Sequence, residues 1–289
     1  MKALVFGGNG FIGSHVVKQL SQLDWDVKSP LSDEVDLRNP ESINELLKSC
    51  NPDVVINCAG VVENSEKALL NIEFTKNILS AVVKEGINPK RIIISGSAAE
   101  YGYVSQGDLP ITESQRLSAE SAYGKAKIKE DLLAQEFAKE HNLPVVVMRI
   151  FNPIGIGMGP RFLTSNIIRQ IKEIKNKNKD SIEIMRLDSL RDYIDIEDLS
   201  NAIVTLAKTP ELSSITYNIG SGIPVSNDQV AQLMLKESGL ENIKVIEESE
   251  TPERLVACEA DINQIKNDTG WFPKVSIENT IRQIIQKEG

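Results

Sequence analysis

Histidine is almost missing from this chain. Only His15 and His141 occur in 289 residues. Neither has a partner at metal-ligand spacing, which argues against a zinc site or a His-based catalytic triad; no metal is expected. Cysteine is nearly as scarce. Cys50, Cys58 and Cys258 are scattered, odd in number and form no CxxC, the pattern of buried thiols in a reducing compartment. No apolar run reaches membrane-spanning length, and the N-terminal "KALVF" is too short for a secretion signal. The expectation is a cytoplasmic protein without membrane association. Positive charge is in deficit, with 32 Lys and Arg against 41 Asp and Glu, a net charge of −9. That argues against broad nucleic-acid or membrane-surface binding, yet leaves room for a local basic pocket around an anionic ligand. Repeats, low-complexity tracts and flexible linkers are also absent.

What is present is alternation. The chain is long enough for one large domain or a core with a second lobe. "KALVF" (2–6), "DVVINCAG" (53–60), "RIIISGS" (91–97) and "PVVVMRIF" (144–151) are apolar enough to be strands buried on both faces. "DVKSP" and "EVDL" are shorter strand candidates. Between them, 11–23, 40–50, 65–85 and 119–141 have helical spacing. Asn39 is placed to cap the second, Pro40 to open it and Gly86 to end the third. This pattern predicts an α/β fold with a doubly wound parallel sheet. Past residue 150 the rhythm loosens. Short strands are expected at "SIEIMRL" and "TYNIGSG", helices near 162–175, 197–207, 226–238 and 276–287, and a solvated loop at "KNKNKD" (175–180).

Gly7, Gly10 and Gly13 stand at three-residue spacing directly after a strand and directly before a helix. A helix N-terminus offers unpaired N–H groups and the positive end of a dipole, which suits a pyrophosphate, and glycine lets the backbone come close. In simple dinucleotide folds an acidic residue ends the second strand and binds the ribose hydroxyls. Here Lys28 and Ser29 occupy that region. Lys28, Ser32 or Arg38 can hold a 2′-phosphate, whereas Asp33 can hold a ribose, so NADP is favoured with NAD as the alternative.

Tyr123 and Lys127 in "SAYGKAK" lie four apart on a predicted helix and share a face. Ser97 closes "RIIISGS". An ammonium beside a phenol favours phenolate. With a serine hydroxyl on the same oxygen, the three can pass a proton to or from a carbinol while a nicotinamide passes hydride.

Together these stretches resemble the extended short-chain dehydrogenase/reductase family, specifically its nucleotide-sugar epimerases, dehydratases and reductases. The matching pieces are "GGNGFIG", "NCAG", "SGSAAEYG", "YGKAK", "RIFNPIG", "RDYIDIEDL", "YNIGSG" and "TGWFPKVSIENTI", in family order along nearly the whole chain. The resemblance implies a Rossmann-like NAD(P)-binding domain over 1–152 and a smaller C-terminal α/β substrate lobe over 153–289, partly interleaved with the first. It implies Gly7, Asn9, Gly10, Phe11 and Ile12 at the cofactor pyrophosphate, and Lys28 and Ser29 at the adenosine ribose. Asp36 and Leu37 would lie near adenine, and Ala59, Gly60, Asn71, Ser95 and Ile150 along the rest of the cofactor. Ser97, Tyr123 and Lys127 would be catalytic. Ser97, Asn152, Arg161, Arg191 and Arg254 would face the nucleotide sugar. Each of these has a plainer role open to it: Asn152 can cap a turn before Pro153, and Arg191 can pair with Asp192 or Asp195. A homodimer through the helices at 65–85 and 119–141 is also implied.

The family's dehydratases carry an Asp-Glu pair after the catalytic hydroxyl. Ala98 and Ala99 stand there instead, and methyl groups do no acid–base work; Glu100 is one position too late. Two family reactions remain, 4-keto reduction with NAD(P)H and 4-epimerisation with retained NAD. The stretches "GSAAEYG" and "LDSLRDYIDIEDL" look like the GDP-6-deoxy-4-keto-mannose reductase branch. Short segments after the second strand and between Gly60 and Asn71 suit a cofactor that exchanges. Reduction is therefore the first expectation, epimerisation the alternative, and non-catalytic dinucleotide binding a third.

Overall fold

A computed structural model describes residues 1–248 and 257–289. Through the first half, strands β1 (Lys2–Phe6), β2 (Asp26–Lys28), β3 (Val54–Asn57), β4 (Arg91–Ser95) and β5 (Val145–Ile150) alternate with helices. These are α1 (Phe11–Gln22), α2 (Pro40–Cys50), α3 (Leu70–Lys84) and α4 (Ala122–His141). Then follow β6 (Asn152–Ile154), α5 (Leu163–Lys175), β7 (Ser181–Ile184), β8 (Leu190–Asp195), α6 (Ile196–Lys208) and β9 (Thr216–Ile219). The chain continues through β10 (Pro224–Ser226), α7 (Asn227–Glu237), β11 (Lys244–Glu247), α8 (Asn263–Thr269) and α9 (Ile277–Glu288).

Six strands form one parallel sheet in the order β2-β1-β3-β4-β5-β9. Successive side chains on a strand point to opposite faces, so an unbroken apolar run buries both. Val5, Ile56, Ile93 and Met148 face α1 and α6, whose Val16, Leu20, Leu199 and Ile203 meet them. Leu4, Phe6, Val55, Ile94 and Val147 face α2, α3 and α4, packing on Ile43, Leu47, Ile78, Val82 and Ala134. Each such side chain contributes about 1.5–3 kcal/mol on leaving water. This is the doubly wound arrangement expected from the alternation. Its last strand, β9, and α6 come from beyond residue 152.

The remaining chain makes two small sheets, β10-β8-β6 and β11-β7. They share an apolar cluster with α5, α7 and α9, including Ile154, Ile171, Ile184, Met234 and Ile284. Three local expectations are corrected. "EVDL" is a turn, with Val35 and Glu34 N–H both bonded to the Leu31 carbonyl; four residues at the sheet edge have no neighbouring strand to pair with. The strand at 91–97 stops at Ser95, because Gly96 and Ser97 enter a tight turn. The helix expected from 119 starts at Ala122, where the Ser121 hydroxyl caps it by accepting the Gly124 N–H. Asn39 caps α2 and Pro40 opens it as expected. No helix among the described residues is long and apolar enough to cross a membrane.

Candidate active site

The glycine loop joins β1 to α1 at the carboxyl end of the sheet. Gly7 has φ +75°, and a Cβ there would lie 2.5 Å from the Ala59 nitrogen. A Cβ on Gly13 would fall 2.1 Å from the Gly7 carbonyl oxygen. Glycine is therefore required by two close backbone approaches, one to the loop after β3 and one within the turn itself. Gly10 begins α1 without a side-chain cap, and no acidic residue occupies the first turn. The helix end thus keeps free N–H groups and an unopposed positive dipole, as an anionic diphosphate requires. Asn9 and Gly10 are exposed at this tip, with Phe11 and Ile12 half-buried behind it.

Lys28 ends β2 exposed, and Ser29 turns inward. Its buried hydroxyl has no hydrogen-bond partner and packs so closely on Gly8 that a Cβ there would come within 1.9 Å of it. Asp36 is tied to Arg38 at 2.8 Å, and that bond holds its carboxyl below the usual range. Arg38 is thereby committed to Asp36. Leu37 is buried against the core face of α2 and α3. Asn71 spends its amide on the loop after β3: its oxygen accepts the Val61 N–H at 2.8 Å and its nitrogen donates to the Val61 carbonyl at 2.9 Å. It shapes the loop carrying Ala59 and Gly60. Ser95 contacts the buried thiol of Cys58, which burial pushes up to about 12. Ile150 lies in the core at the end of β5.

Ser97 caps a single 3-10 turn, Ala98–Glu100. Its hydroxyl accepts the Ala99 N–H at 3.2 Å, while Glu100 accepts the Ser97 N–H at 2.7 Å. The first turn of α4 seats directly on that turn. A Cβ on Gly124 would be 2.6 Å from the Ala99 carbonyl oxygen, so glycine between Tyr123 and Lys127 permits the contact that brings the Ser97 and Tyr123 segments together. One turn further on, Lys127 is buried. Its ammonium donates to the Ser95 carbonyl and to Glu130 Oε2, the latter at 2.6 Å. Burial presses the ammonium toward neutrality, but the charges of Glu130 and Tyr123 outweigh it and hold the pKa above its ordinary value. The expected trio therefore sits on two adjoining pieces of structure, the serine turn after β4 and the first turns of α4, at the carboxyl end of the sheet.

Glu100 turns into the core. It is fully buried with Oε2 3.2 Å from Arg149 Nε, and burial and the nearby Asp131 raise its carboxyl pKa. Asp131 takes the other side of Arg149 at 2.7 Å. The charged residue inside "PVVVMRIF" is thus a structural anchor. Sequence reasoning missed it, although a lone arginine in an apolar strand was the visible signal. Glu130 and its partners Thr75 and Asn57 were also missed; the signal was a carboxylate three residues past Lys127.

Among the expected substrate contacts, Asn152 donates to the Asp192 carbonyl at 2.9 Å and lies against Cys258. Arg191, on β8, makes no ion pair with Asp192 or Asp195. Those carboxylates are occupied elsewhere: Asp192 accepts from Ser221, Gly222 and Ala260, and Asp195 from Glu197 and Thr280. Arg161 is exposed over the Phe162 ring. Arg254 lies outside the described residues. No cluster of three or more potential metal ligands occurs among those described.

Residues 3–220 match the NAD dependent epimerase/dehydratase family. The chain belongs to that family. Curated relatives within it divide between two reactions. A UDP-glucose 4-epimerase of Oryza sativa is 27% identical over an alignment 333 positions long, covering 96% of this chain and 87% of the relative. A GDP-6-deoxy-D-mannose reductase of Pseudomonas aeruginosa is 26% identical over 299, covering 98% and 96%. Among solved structures, RMD from Pseudomonas aeruginosa complexed with NADPH superposes with a TM-score of 0.90 at 25% identity, over 99% of this chain and 97% of that one. A Thermotoga maritima UDP-glucose 4-epimerase with UDP-glucose gives 0.87 at 23%, a likeness of fold.

Proposed function

We propose that this protein binds NADPH and reduces the 4-keto group of a nucleotide-activated 6-deoxyhexose. The glycine cradle, the open N-terminus of α1 and the absence of a carboxylate at the end of β2 fit a dinucleotide with a 2′-phosphate. When bound, the reduced nicotinamide supplies a hydride. Tyr123 donates the proton that the carbonyl oxygen needs as it becomes a hydroxyl. Ser97 hydrogen-bonds the same oxygen. Lys127 stabilises the phenolate left on Tyr123 and holds the cofactor ribose. Arg191, with no ion pair to its neighbouring carboxylates, is available for the substrate diphosphate, together with Arg161 and Arg254.

What favours reduction over epimerisation is the shortness of the segments after β2 and between Gly60 and Asn71, which flank the glycine loop. In overall length, too, the chain matches the reductase more evenly, over 299 positions with 96% of it covered, against 333 positions and 87% for the rice epimerase. Less chain around the dinucleotide favours exchange at each turnover. The 4-epimerase is the second reading, favoured by the 27% identity to the rice enzyme. Dehydration is disfavoured by Ala98 and Ala99 and by the inward turn of Glu100.

The test follows nicotinamide absorbance with NADPH, and separately NADH, against a panel of nucleotide 4-keto-6-deoxyhexoses. Stoichiometric consumption with one substrate supports reduction. No consumption across the panel, with NAD⁺ retained through purification, supports the epimerase.

A further inference from the structure

Lys127 and Glu130 form a buried ion pair on one helix face, with side-chain exposures of 6% and 2%. The pair does not end there. Glu130 Oε1 accepts the Thr75 hydroxyl of α3 at 2.6 Å, and Thr75 accepts from the Asn57 amide at the end of β3 at 3.2 Å. Asn57 in turn accepts the Ala59 N–H at 3.1 Å. An unbroken polar line thus runs through the core from the loop against the glycine turn to the lysine. Neither oxygen of Glu130 is spare, and the carboxylate cannot swing away without breaking two bonds.

A carboxylate sealed in an apolar interior is strongly disfavoured unless it is compensated. A role in stability alone does not account for it well, because an apolar side chain on α4 would pack there without that penalty. Its position accounts for it better. Lys127 meets Glu130 on its own helix and the Ser95 carbonyl from β4, and feels the charges of Tyr123 and, on the adjoining turn, Glu100; the Thr75 hydroxyl from α3 bonds Glu130, and the Cys58 thiol lies behind Ser95. Glu100 is already paired with Arg149. Glu130 is therefore the one carboxylate in hydrogen-bond contact with Lys127 among the described residues.

We propose that Glu130 is a positioning residue for the acid–base pair: as the buried counter-ion of Lys127 it keeps that lysine an ammonium and fixes two of its N–H directions together with Ser95. Without the carboxylate, the penalty of burial is opposed by fewer charges and the lysine gives up its proton at lower pH. A neutral lysine no longer stabilises phenolate on Tyr123. The inference rests on the roles proposed above for Tyr123 and Lys127, but the coupling of Glu130 to Lys127 can be read without turnover.

The experiment is a lysine side-chain NMR titration of the full-length protein, isotopically labelled at lysine, with Lys127→Met assigning the signal. In Glu130→Gln, Lys127 titrates at least about one pH unit below wild type, and Glu130→Asp falls between the two. An unchanged Lys127 titration in Glu130→Gln overturns the proposal. If Glu130→Gln is too unstable to titrate, the double variant with Lys127→Met decides. Recovery of the melting temperature supports an unpaired ammonium as the cause, and persistent instability overturns it. Where the reductase assay succeeds, the alkaline limb of kcat/KM in Glu130→Gln moves to lower pH by the same amount. A missing activity alongside an intact NMR shift counts against the proposed reaction and leaves the Glu130 inference standing.

Discussion

Glu100 closes back on Ser97: its carboxylate oxygen holds the Ser97 N–H at 2.7 Å, while the Ser97 hydroxyl holds the Ala99 N–H. A residue that sequence position alone offers as a second-best acid is thereby withdrawn into the core. Its carboxyl binds a proton more tightly folded than unfolded, mainly because it is buried. The resulting stabilisation is whole below the ordinary carboxyl value and is lost as pH rises through the folded one. Glu100→Gln has no such proton to lose. Urea midpoints at about pH 5 and about pH 8 are expected to show wild type losing ground to Glu100→Gln at the higher pH. A constant difference would refute this.

Tyr123→Phe removes only the phenolic oxygen from a half-buried ring. Turnover should drop by at least ~100-fold, the usual scale of a lost general acid. Cofactor affinity, followed by nicotinamide fluorescence, should hold within about threefold, because the ring remains in place. Retained turnover would contradict the proton route given above.

Gly13→Ala places a methyl group where the Gly7 carbonyl already stands. The turn must open. A destabilisation of about 1–3 kcal/mol and a cofactor affinity at least about tenfold weaker are expected, by thermal melting and fluorescence titration. Gly86→Ala, at a helix end with nothing within reach of an added Cβ, is the matched control: its φ of +62° strains the backbone but leaves the cofactor affinity alone.

Ser29→Asp introduces a carboxylate next to the proposed 2′-phosphate position. The ratio of kcat/KM for NADPH over NADH should fall at least about tenfold, equivalent to about 1.4 kcal/mol. An unchanged ratio would mean that this end of β2 does not read the ribose.

The paired helices α3 and α4 are where a homodimer is expected, and Leu132 on α4 is 54% exposed. Light scattering should return twice the 31.9 kDa chain mass, with Leu132→Asp shifting the balance toward monomer. A monomeric wild type at micromolar concentration would oppose it.

The sheet was legible because its strands are buried on both faces, so apolar runs such as "RIII" needed no partner information to be recognised. The glycine turn was legible for a similar reason: close backbone approach leaves one residue type available. "EVDL" misled because strand propensity in four residues counts for little at an unpaired edge. The buried ionic groups escaped because their meaning lies in partners distant in sequence. Arg149 is explained by Glu100 and Asp131, and Glu130 by Thr75, 55 residues away. Asp192 and Asp198 of "RDYIDIEDL" likewise prove to be fasteners for loops at 221–222, 260 and 274–275.

The contact at Gly124 has a wider consequence. The spacing between the serine turn and the tyrosine helix is set where a backbone carbonyl rests on a bare α-carbon. Nothing from the C-terminal lobe takes part in that contact. Under the roles proposed above for Ser97 and Tyr123, the alignment of the two hydroxyls rests on this backbone contact, and substitutions at the residues proposed to face the sugar leave the contact itself in place.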